Sequence, residues 1–265
     1  MSAPIRIMAS VASIPHRESS LQRVIESLLP QVDRLNVYLN AYERPPAFTR
    51  HPKIVVARSQ EYGDFGDAAK FFWLSGCAQY FLTCDDDILY PADYVSQTVA
   101  SIEKYGRKAI VGWQGSILLD AFEDYYNDES RRIFSFYRAV DHDLPVHILG
   151  TGALGFHVST LNIAFTDFKA PNMADIWFGL KAQQQHVPLI VRAHRAGELA
   201  PIHQGSQQKA IWRDCIDNAQ SPLNTRRLQS DVVKAHWPWV VHECIVPRRI
   251  DRIGSTFRKL WRGQA

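Results

Sequence analysis

Short apolar segments alternate with helical patterns through the first 113 residues, and this alternation limits the fold more than any other feature. Five segments rich in apolar and β-branched side chains are predicted strands: residues 5–11, 35–39, 53–57, 80–84 and 109–113. Helical spacing of apolar residues follows Ser19-Ser20, and residues 67–76 and 92–104 are two further predicted helices. The alternation predicts a mostly parallel sheet covered by helices, with ligands bound beyond the carboxyl ends of its strands.

The second half of the chain is less regular. Residues 114–147 are rich in Asp, Tyr, Phe and Arg without a clear period, and are expected to form a long insertion. A glycine-rich segment at 150–156 lacks a dinucleotide fingerprint, a helix is predicted to open at 172–175, and 188–191 is a short predicted strand. We therefore expect an α/β domain over residues 1–205 and a C-terminal helical region over 206–265.

Composition excludes several classes of protein. The chain has 265 residues, 46% hydrophobic and 22% charged, which suits one soluble α/β domain or two small ones. It contains no apolar run of about 18 residues and no signal-peptide layout at the N-terminus, which predicts a cytoplasmic protein. Its four cysteines have no zinc-like spacing.

The net charge of +3 is concentrated in the tail. From Arg248 onward there are six basic residues and one acidic residue, a net of +5, which leaves −2 for the remainder. A general nucleic-acid surface is therefore not expected. In residues 248–262 one helical face would carry Ile250, Ile253, Phe257, Leu260 and Trp261. This pattern favours a peripheral helix on an anionic membrane surface, and the alternative is a terminal helix docked on its own domain. Gly254 weakens the helix by about 1 kcal/mol relative to Ala in either case.

Three consecutive aspartates, Asp85-Asp86-Asp87, follow the predicted strand at 80–84. Neighbouring carboxylates raise one another's pKa, and a hard divalent cation relieves that repulsion. The triplet therefore predicts a metal site at the carboxyl edge of the sheet. The alternative is a solvated turn that caps the helix beginning after Pro91.

Four separated segments together resemble a family of enzymes. They are SVASIPHR at 10–17, GDFGDAAKFF at 63–72, FLTCDDDILYP at 81–91, and a later acidic helix with a histidine loop. Over residues 5–205 the chain resembles a GT-A glycosyltransferase with a family-2-like N-terminal half. The resemblance implies a Rossmann-like sheet, a nucleotide-sugar donor with UDP as the default, and Mn²⁺ or Mg²⁺ as a Lewis acid on the leaving diphosphate.

The resemblance also implies roles for the metal motif. Asp87 would bind the metal directly, Asp85 would face the nucleotide, and Asp86 would do either. His203 is the candidate second protein ligand, since imidazole ligates Mn²⁺, and the alternative is an ordinary loop histidine. Arg17 is a candidate phosphate or base contact, with surface solvation as its alternative.

Further donor contacts follow from the same comparison. Lys70 is a second candidate phosphate or base contact, and it too could be merely solvated. Ile14 and Pro15 would shape the base pocket through backbone groups. Asp67 is expected to serve mainly as an N-cap of its own segment.

The candidate base is Asp175, at a helix start where Ala174 replaces the family's usual first acid. Its alternative role is to charge the helix N-terminus, worth up to about 1 kcal/mol. Trp177 would stack on a sugar face or belong to the core. Thr151-Gly152-Ala153 resembles the loop beneath the donor sugar, where glycine allows close backbone approach, and a tight turn would use the glycine equally well.

The resemblance predicts an inverting transfer, with Asp175 as base, to a glycan or lipid-linked acceptor in bacterial-type surface polysaccharide synthesis. In that case residues 114–147 would face the acceptor. Three alternatives remain. A haloacid-dehalogenase-like phosphohydrolase would carry Thr where this chain has Leu89, and a sugar nucleotidyltransferase would carry a glycine-rich N-terminal loop. A non-catalytic, metal-dependent sugar-binding module would not need Asp175.

Overall fold

The computed structural model describes residues 6–75, 78–202 and 224–244. Strands β1 to β6 are Ile7–Ser13, Arg34–Leu39, Ile54–Arg58, Tyr80–Cys84, Ile88–Leu89 and Ile110–Gly112. Strands β7 to β13 are Gly115–Leu118, Arg131–Phe134, Leu144–Val146, Ile148–Leu149, Ala153–His157, Leu189–Val191 and Ala200–Pro201. Helices α1 to α5 are Glu18–Leu28, Ser59–Tyr62, Tyr94–Lys104, Ala174–Gln184 and Arg226–Ala235. Short 3₁₀ helices occur at Pro15–Arg17, Leu29–Gln31, Ala47–Thr49, Gly66–Phe71 and Phe165–Asp167.

A large mixed sheet forms the centre of the molecule. Within the described residues it has eight strands in the order β3-β2-β1-β4-β11-β6-β12-β9. Strands β11 and β9 run against their neighbours, and the other strands share one direction. The prediction of a mostly parallel α/β sheet flanked by helices is confirmed.

Both faces of this sheet are covered, as the alternation of side chains in β1 shows. Ala9 and Val11 pack in one buried cluster with Leu21 and Leu28 of α1. Met8 packs in a second cluster on the opposite face, which includes Phe178 of α4. Because parallel strands buried on both faces need apolar side chains at nearly every position, their segments are visible in the sequence as continuous apolar runs.

The helix predicted at 67–76 is wrong in type. The structure has a 3₁₀ helix at Gly66–Phe71, followed by turns. The reason is that consecutive aromatic residues pack in different directions. Phe71 stacks on Phe178 with ring centroids 5.3 Å apart, while Phe72 contacts the ring of Tyr38 at 5.4 Å.

The glycine-rich segment at 150–156 is largely a strand, which the sequence did not predict. Strand β11 pairs antiparallel with β4 on one side and with β6 on the other. Gly155 is required there by packing, since a Cβ at this position would lie 2.8 Å from Cγ2 of Thr98. Ala153, expected in a loop, is the first residue of this strand.

The insertion predicted at 114–147 contains regular structure. Strands β10, β7 and β8 form a separate antiparallel sheet of three strands, and β9 joins the edge of the central sheet. Strand pairing in this region joins residues far apart in sequence, so the local pattern carried little signal.

The C-terminal region contributes helix α5, which packs against α4. Trp239 donates from its indole Nε1 to the carbonyl of Val233, 3.1 Å away, and both residues belong to one buried cluster. The predicted tail at 248–262 lies outside the described residues. Among the residues that are described, no helix is long and apolar enough to span a bilayer.

Candidate functional site

The three aspartates and Arg17 meet because β1 and β4 are parallel neighbours that end together. Val11 is in register with Cys84, so the segments that follow both strands leave the sheet at the same edge. From there, Arg17 Nη1 donates to Asp86 Oδ1 at 2.7 Å and to Asp87 Oδ2 at 2.8 Å. Arg17 is thus an ion-pair partner of the motif, and its side chain is mostly buried.

The three carboxylates differ in exposure. The Asp86 side chain is 6% exposed, whereas those of Asp85 and Asp87 are 36% and 37% exposed. Burial raises the pKa of Asp86, and the charge of Arg17 opposes that rise. Asp86 therefore anchors Arg17 in the interior, and the two accessible carboxylates are Asp85 and Asp87.

Asp85 and Asp87 fit a divalent cation by donor type and by charge. The pKa of Asp87 is raised to about 6, mainly by burial and next by the charge of Asp85. Mg²⁺ is typically bound by one or two carboxylates together with substrate phosphates and water. No group of three or more His, Cys, Asp or Glu side chains in the described part of the chain is arranged to hold a metal. Any cation here would therefore depend on ligands beyond these two carboxylates.

Lys70 is buried, so the alternative of simple surface solvation is wrong. Its side chain is 4% exposed and forms an ion pair with Asp85. Lys70 Nζ also lies 3.5 Å from both the carbonyl oxygen and Oγ1 of Thr151. Burial acts to lower the pKa of Lys70, but the charges of Asp85 and Asp67 outweigh burial and raise it. Lys70 is therefore a buried charged group that lies between Asp85 and Thr151.

Gly152 lies against the carboxylate of Asp85. A Cβ at Gly152 would be 2.0 Å from Asp85 Oδ2 and 2.5 Å from Cγ, much closer than any real contact. The Gly152 carbonyl accepts a hydrogen bond from the backbone N–H of Asp85 at 3.0 Å. The close approach that the sequence suggested for this glycine is made to Asp85.

Tyr90 completes this contact and was not singled out from the sequence. Its hydroxyl donates to the Gly152 carbonyl at 2.5 Å and accepts from the backbone N–H of Asp85 at 2.8 Å. Tyr90 is buried, and its position in the segment FLTCDDDILYP was the available signal.

Asp175 lies in the first turn of α4, next to Thr151. The backbone N–H and the hydroxyl of Thr151 donate to Asp175 Oδ1 at 2.7 and 2.6 Å. Burial raises the pKa of Asp175, and these two hydrogen bonds counter the rise. A carboxylate held at one oxygen and raised in pKa has the properties of a general base.

Asp67 caps a different helix from the one expected. Its Oδ2 accepts from the backbone N–H of Ala174 at 3.0 Å, which is the N-terminus of α4. Its Oδ1 is buried without a hydrogen-bond partner among the described atoms. Burial raises the pKa of Asp67 to about 6. The start of α4 therefore has two carboxylates beside it, from Asp67 and Asp175.

The remaining predicted residues are less central. The Ile14 carbonyl accepts hydrogen bonds from the Tyr42 hydroxyl at 3.0 Å and from the backbone N–H of Arg17 at 2.9 Å. This carbonyl therefore stabilises the local structure after β1. Pro15 is exposed at the start of a 3₁₀ helix. Trp177 is half-buried at the edge of an apolar cluster, and its stacking on a sugar stays a prediction.

The chain returns to the aspartates at the end of its second described segment. Strand β13 pairs with β5, and the N–H of Ile202 donates to the Asp87 carbonyl at 2.7 Å. His203 is the next residue, and it lies outside the described residues.

Comparison with known proteins gives limited similarity. No family model and no curated protein matches this sequence. Glucosyl-3-phosphoglycerate synthase from Mycobacterium tuberculosis, solved with Mn²⁺, uridine diphosphate and phosphoglyceric acid, aligns at 15% identity with a TM-score of 0.35. That alignment covers 41% of this chain and 42% of the synthase chain. S. aureus TarS 1–349 aligns at 10% identity with a TM-score of 0.47, over 72% of this chain and 59% of TarS. The chain thus spans less than two thirds of either structure, and similarity at this level does not assign it to a family.

Proposed function

We propose that this protein is a metal-dependent glycosyltransferase that moves a sugar from a nucleotide-diphosphate sugar, with UDP as the expected nucleotide, to a glycan or lipid-linked acceptor. The observation that carries the proposal is the set of charged groups at the carboxyl edge of the parallel strands. Two accessible carboxylates, Asp85 and Asp87, lie there between the cations Lys70 and Arg17. A third carboxylate, Asp175, follows beyond Thr151.

Asp87 is the proposed direct metal ligand, with Asp85 on the nucleotide side and Mn²⁺ or Mg²⁺ as the ion. The bound ion would supply Lewis-acid neutralisation of the leaving diphosphate. His203 is proposed as a further ligand, supported by the hydrogen bond of the preceding residue, Ile202, to the Asp87 carbonyl.

The protein's own residues hold this arrangement in advance of the ligand. Arg17 bonds to Asp86 and Asp87 together, which fixes the orientation of the Asp87 carboxylate. Lys70 and the backbone of Gly152 fix Asp85 in the same way. Preorganised charges in a partly dehydrated site stabilise a developing charge without the cost of reorganisation.

Asp175 is the proposed base of an inverting transfer. Thr151 occupies one of its oxygens, which orients the carboxylate and leaves the other oxygen to accept the proton of the acceptor hydroxyl. Burial raises the pKa of Asp175, which makes its carboxylate a stronger proton acceptor than an exposed aspartate.

The test is calorimetric titration of UDP into the protein with Mn²⁺ or with a chelator. We expect the parent protein to bind UDP in a Mn²⁺-dependent manner and Asp87→Asn to lose that binding with its fold intact. Asp93→Asn is the matched control, because Asp93 is an exposed carboxylate six residues farther along the chain. If Asp87→Asn binds UDP and Mn²⁺ as well as the parent does, the metal assignment is wrong.

A further inference from the structure

The feature that carries a further inference is Arg131, the first residue of β8. Its guanidinium carbon lies 4.0 Å from the ring centroid of Tyr125 and 5.6 Å from that of Tyr126. The side chain is half-buried. Contact with an aromatic face holds the guanidinium plane in one orientation but satisfies few of its five N–H donors.

Tyr125 connects Arg131 to the proposed base. Tyr125 packs in the same buried cluster as Ile176, the residue after Asp175. Burial raises the pKa of Tyr125 to about 12, the charge of Arg131 lowers it, and the charge of Asp175 raises it. Through the ring of Tyr125, Arg131 is therefore linked to the start of α4, which carries the proposed base.

The same segment continues beyond β8 to an exposed tyrosine. Tyr137, which follows β8, is 56% exposed, and burial and the charge of Asp87 both raise its pKa. Within β8, Arg131 pairs with Leu118 and Ile133 with Ser116, so Arg131 and Ile133 lie on one face. Ile133 is 51% exposed. This face of β8 offers an exposed apolar side chain beside a cation.

Arg131 is not neutralised by the residues around it. No carboxylate in the described part of the chain lies within 4.0 Å of its guanidinium. Arg226 on α5 differs in this respect, since its Nε is 2.9 Å from Asp124 in the same loop as Tyr125. Asp124 is thus already paired with Arg226, and the charge of Arg131 is available to a ligand.

We propose that Arg131 binds an oxyanion, a phosphate or a carboxylate, on the sugar acceptor, and that Tyr125 and Tyr126 hold its guanidinium ready for a two-pronged hydrogen bond. This inference rests on the proposed glycosyl transfer and narrows its acceptor to an anionic molecule. Arginine suits the role because its planar fork matches the geometry of both groups.

The experiment uses three sugars with one ring: glucose 6-phosphate, glucuronate and glucose. Each is titrated by NMR into full-length protein saturated with UDP and Mg²⁺, a diamagnetic ion, so that the diphosphate position is occupied. We expect at least one anionic sugar to bind about tenfold or more tightly than glucose, the usual gain from a charged hydrogen bond. Comparison of the affinities for glucose 6-phosphate and glucuronate shows whether the site prefers a phosphate or a carboxylate.

Three variants locate the effect. Arg131→Gln should reduce anionic-sugar binding to the level of glucose, Arg131→Lys should retain part of it, and Arg132→Gln, on an exposed neighbour, should change nothing. Retention of UDP binding in each variant shows that the fold is intact. Equal affinity for all three sugars in the parent, or full anion binding by Arg131→Gln, would overturn the inference. Failure of UDP and Mn²⁺ to bind the parent would instead overturn the proposed function.

Discussion

The contact between Gly152 and Asp85 makes a sharp prediction for Gly152→Ala. The backbone of Gly152 is not in the left-handed region, so alanine is conformationally allowed. Its Cβ, however, would lie 2.0 Å from Asp85 Oδ2. Asp85 has a short side chain held between Gly152 and Lys70, so its carboxylate must withdraw. The substitution should therefore act by separating Asp85 from Lys70.

The size of the effect follows from the burial of the two partners. Removing one partner of a fully buried ion pair costs about 3–5 kcal/mol. Lys70 is 4% exposed but Asp85 is 36% exposed, so solvent screening reduces the cost to about 2 kcal/mol. For a chain of this length, that corresponds to a fall of about 4–8 °C in the unfolding temperature.

The assay is a double-mutant cycle of thermal unfolding with Gly152→Ala, Asp85→Ala and the double variant. Each single substitution should lower the midpoint by a similar amount, and the double variant should be no less stable than Asp85→Ala alone. Such strong coupling is expected only for side chains in direct contact. If Gly152→Ala costs as much in the Asp85→Ala background as in the parent, the steric explanation fails.

Two further predictions concern carboxylates near α4. Asp175→Asn should reduce sugar transfer about 10²–10⁴-fold while the binding of UDP and Mn²⁺ is unchanged. Near-normal turnover of this variant would mean that Asp175 only places a charge at the helix N-terminus. If the parent protein binds sugar but shows no transfer, a non-catalytic module is favoured. The pKa of Asp67 is about 6 in the folded protein and 3.8 for an ordinary aspartate, so the folded state binds the proton more tightly than the unfolded state. The free energy of unfolding should therefore fall as the pH rises between these two values, by up to about 3 kcal/mol. Asp67→Asn should therefore gain stability relative to the parent between pH 4 and 7 in urea unfolding, and a pH-independent difference would contradict this account.

The parts of the fold visible in the sequence are those whose pattern is local. Strand β4 occupies the segment 80–84 that its apolar run predicted, and α1 buries Leu21 and Leu28 as their spacing required. Strand β11 was missed because its identity depends on two partners, β4 and β6, that lie far away in the chain. The 3₁₀ helix at Gly66–Phe71 was mistaken for an α-helix, because tertiary packing of its aromatic residues overrides propensity.

The candidate site divides in the same way. The parallel-sheet rule was enough to bring Arg17 and the aspartates to one edge. The exposure of Asp85 and Asp87, and not of Asp86, depends on the ion pair between Arg17 and Asp86. The burial of Lys70 depends on its ion pair with Asp85. The sequence alone predicts neither of these ion pairs. Arg131 stood in a segment noted only for its aromatic and arginine content. Its importance comes from the rings of Tyr125 and Tyr126 placed beside it by a hairpin.

Lys70 has a consequence for how the two halves of the candidate site influence each other. It is paired with Asp85, the carboxylate proposed to face the nucleotide, and it lies 3.5 Å from Thr151, whose hydroxyl bonds to Asp175. The charge of Lys70 lowers the pKa of Asp175, and that of Asp85 raises it. Neutralising Asp85 on donor binding therefore favours the ionised, proton-accepting form of Asp175. By thermodynamic reciprocity, the ionised form of Asp175 must in turn favour that neutralisation of Asp85 over the protonated form, so the two half-sites on either side of the buried Lys70 ammonium are energetically interdependent.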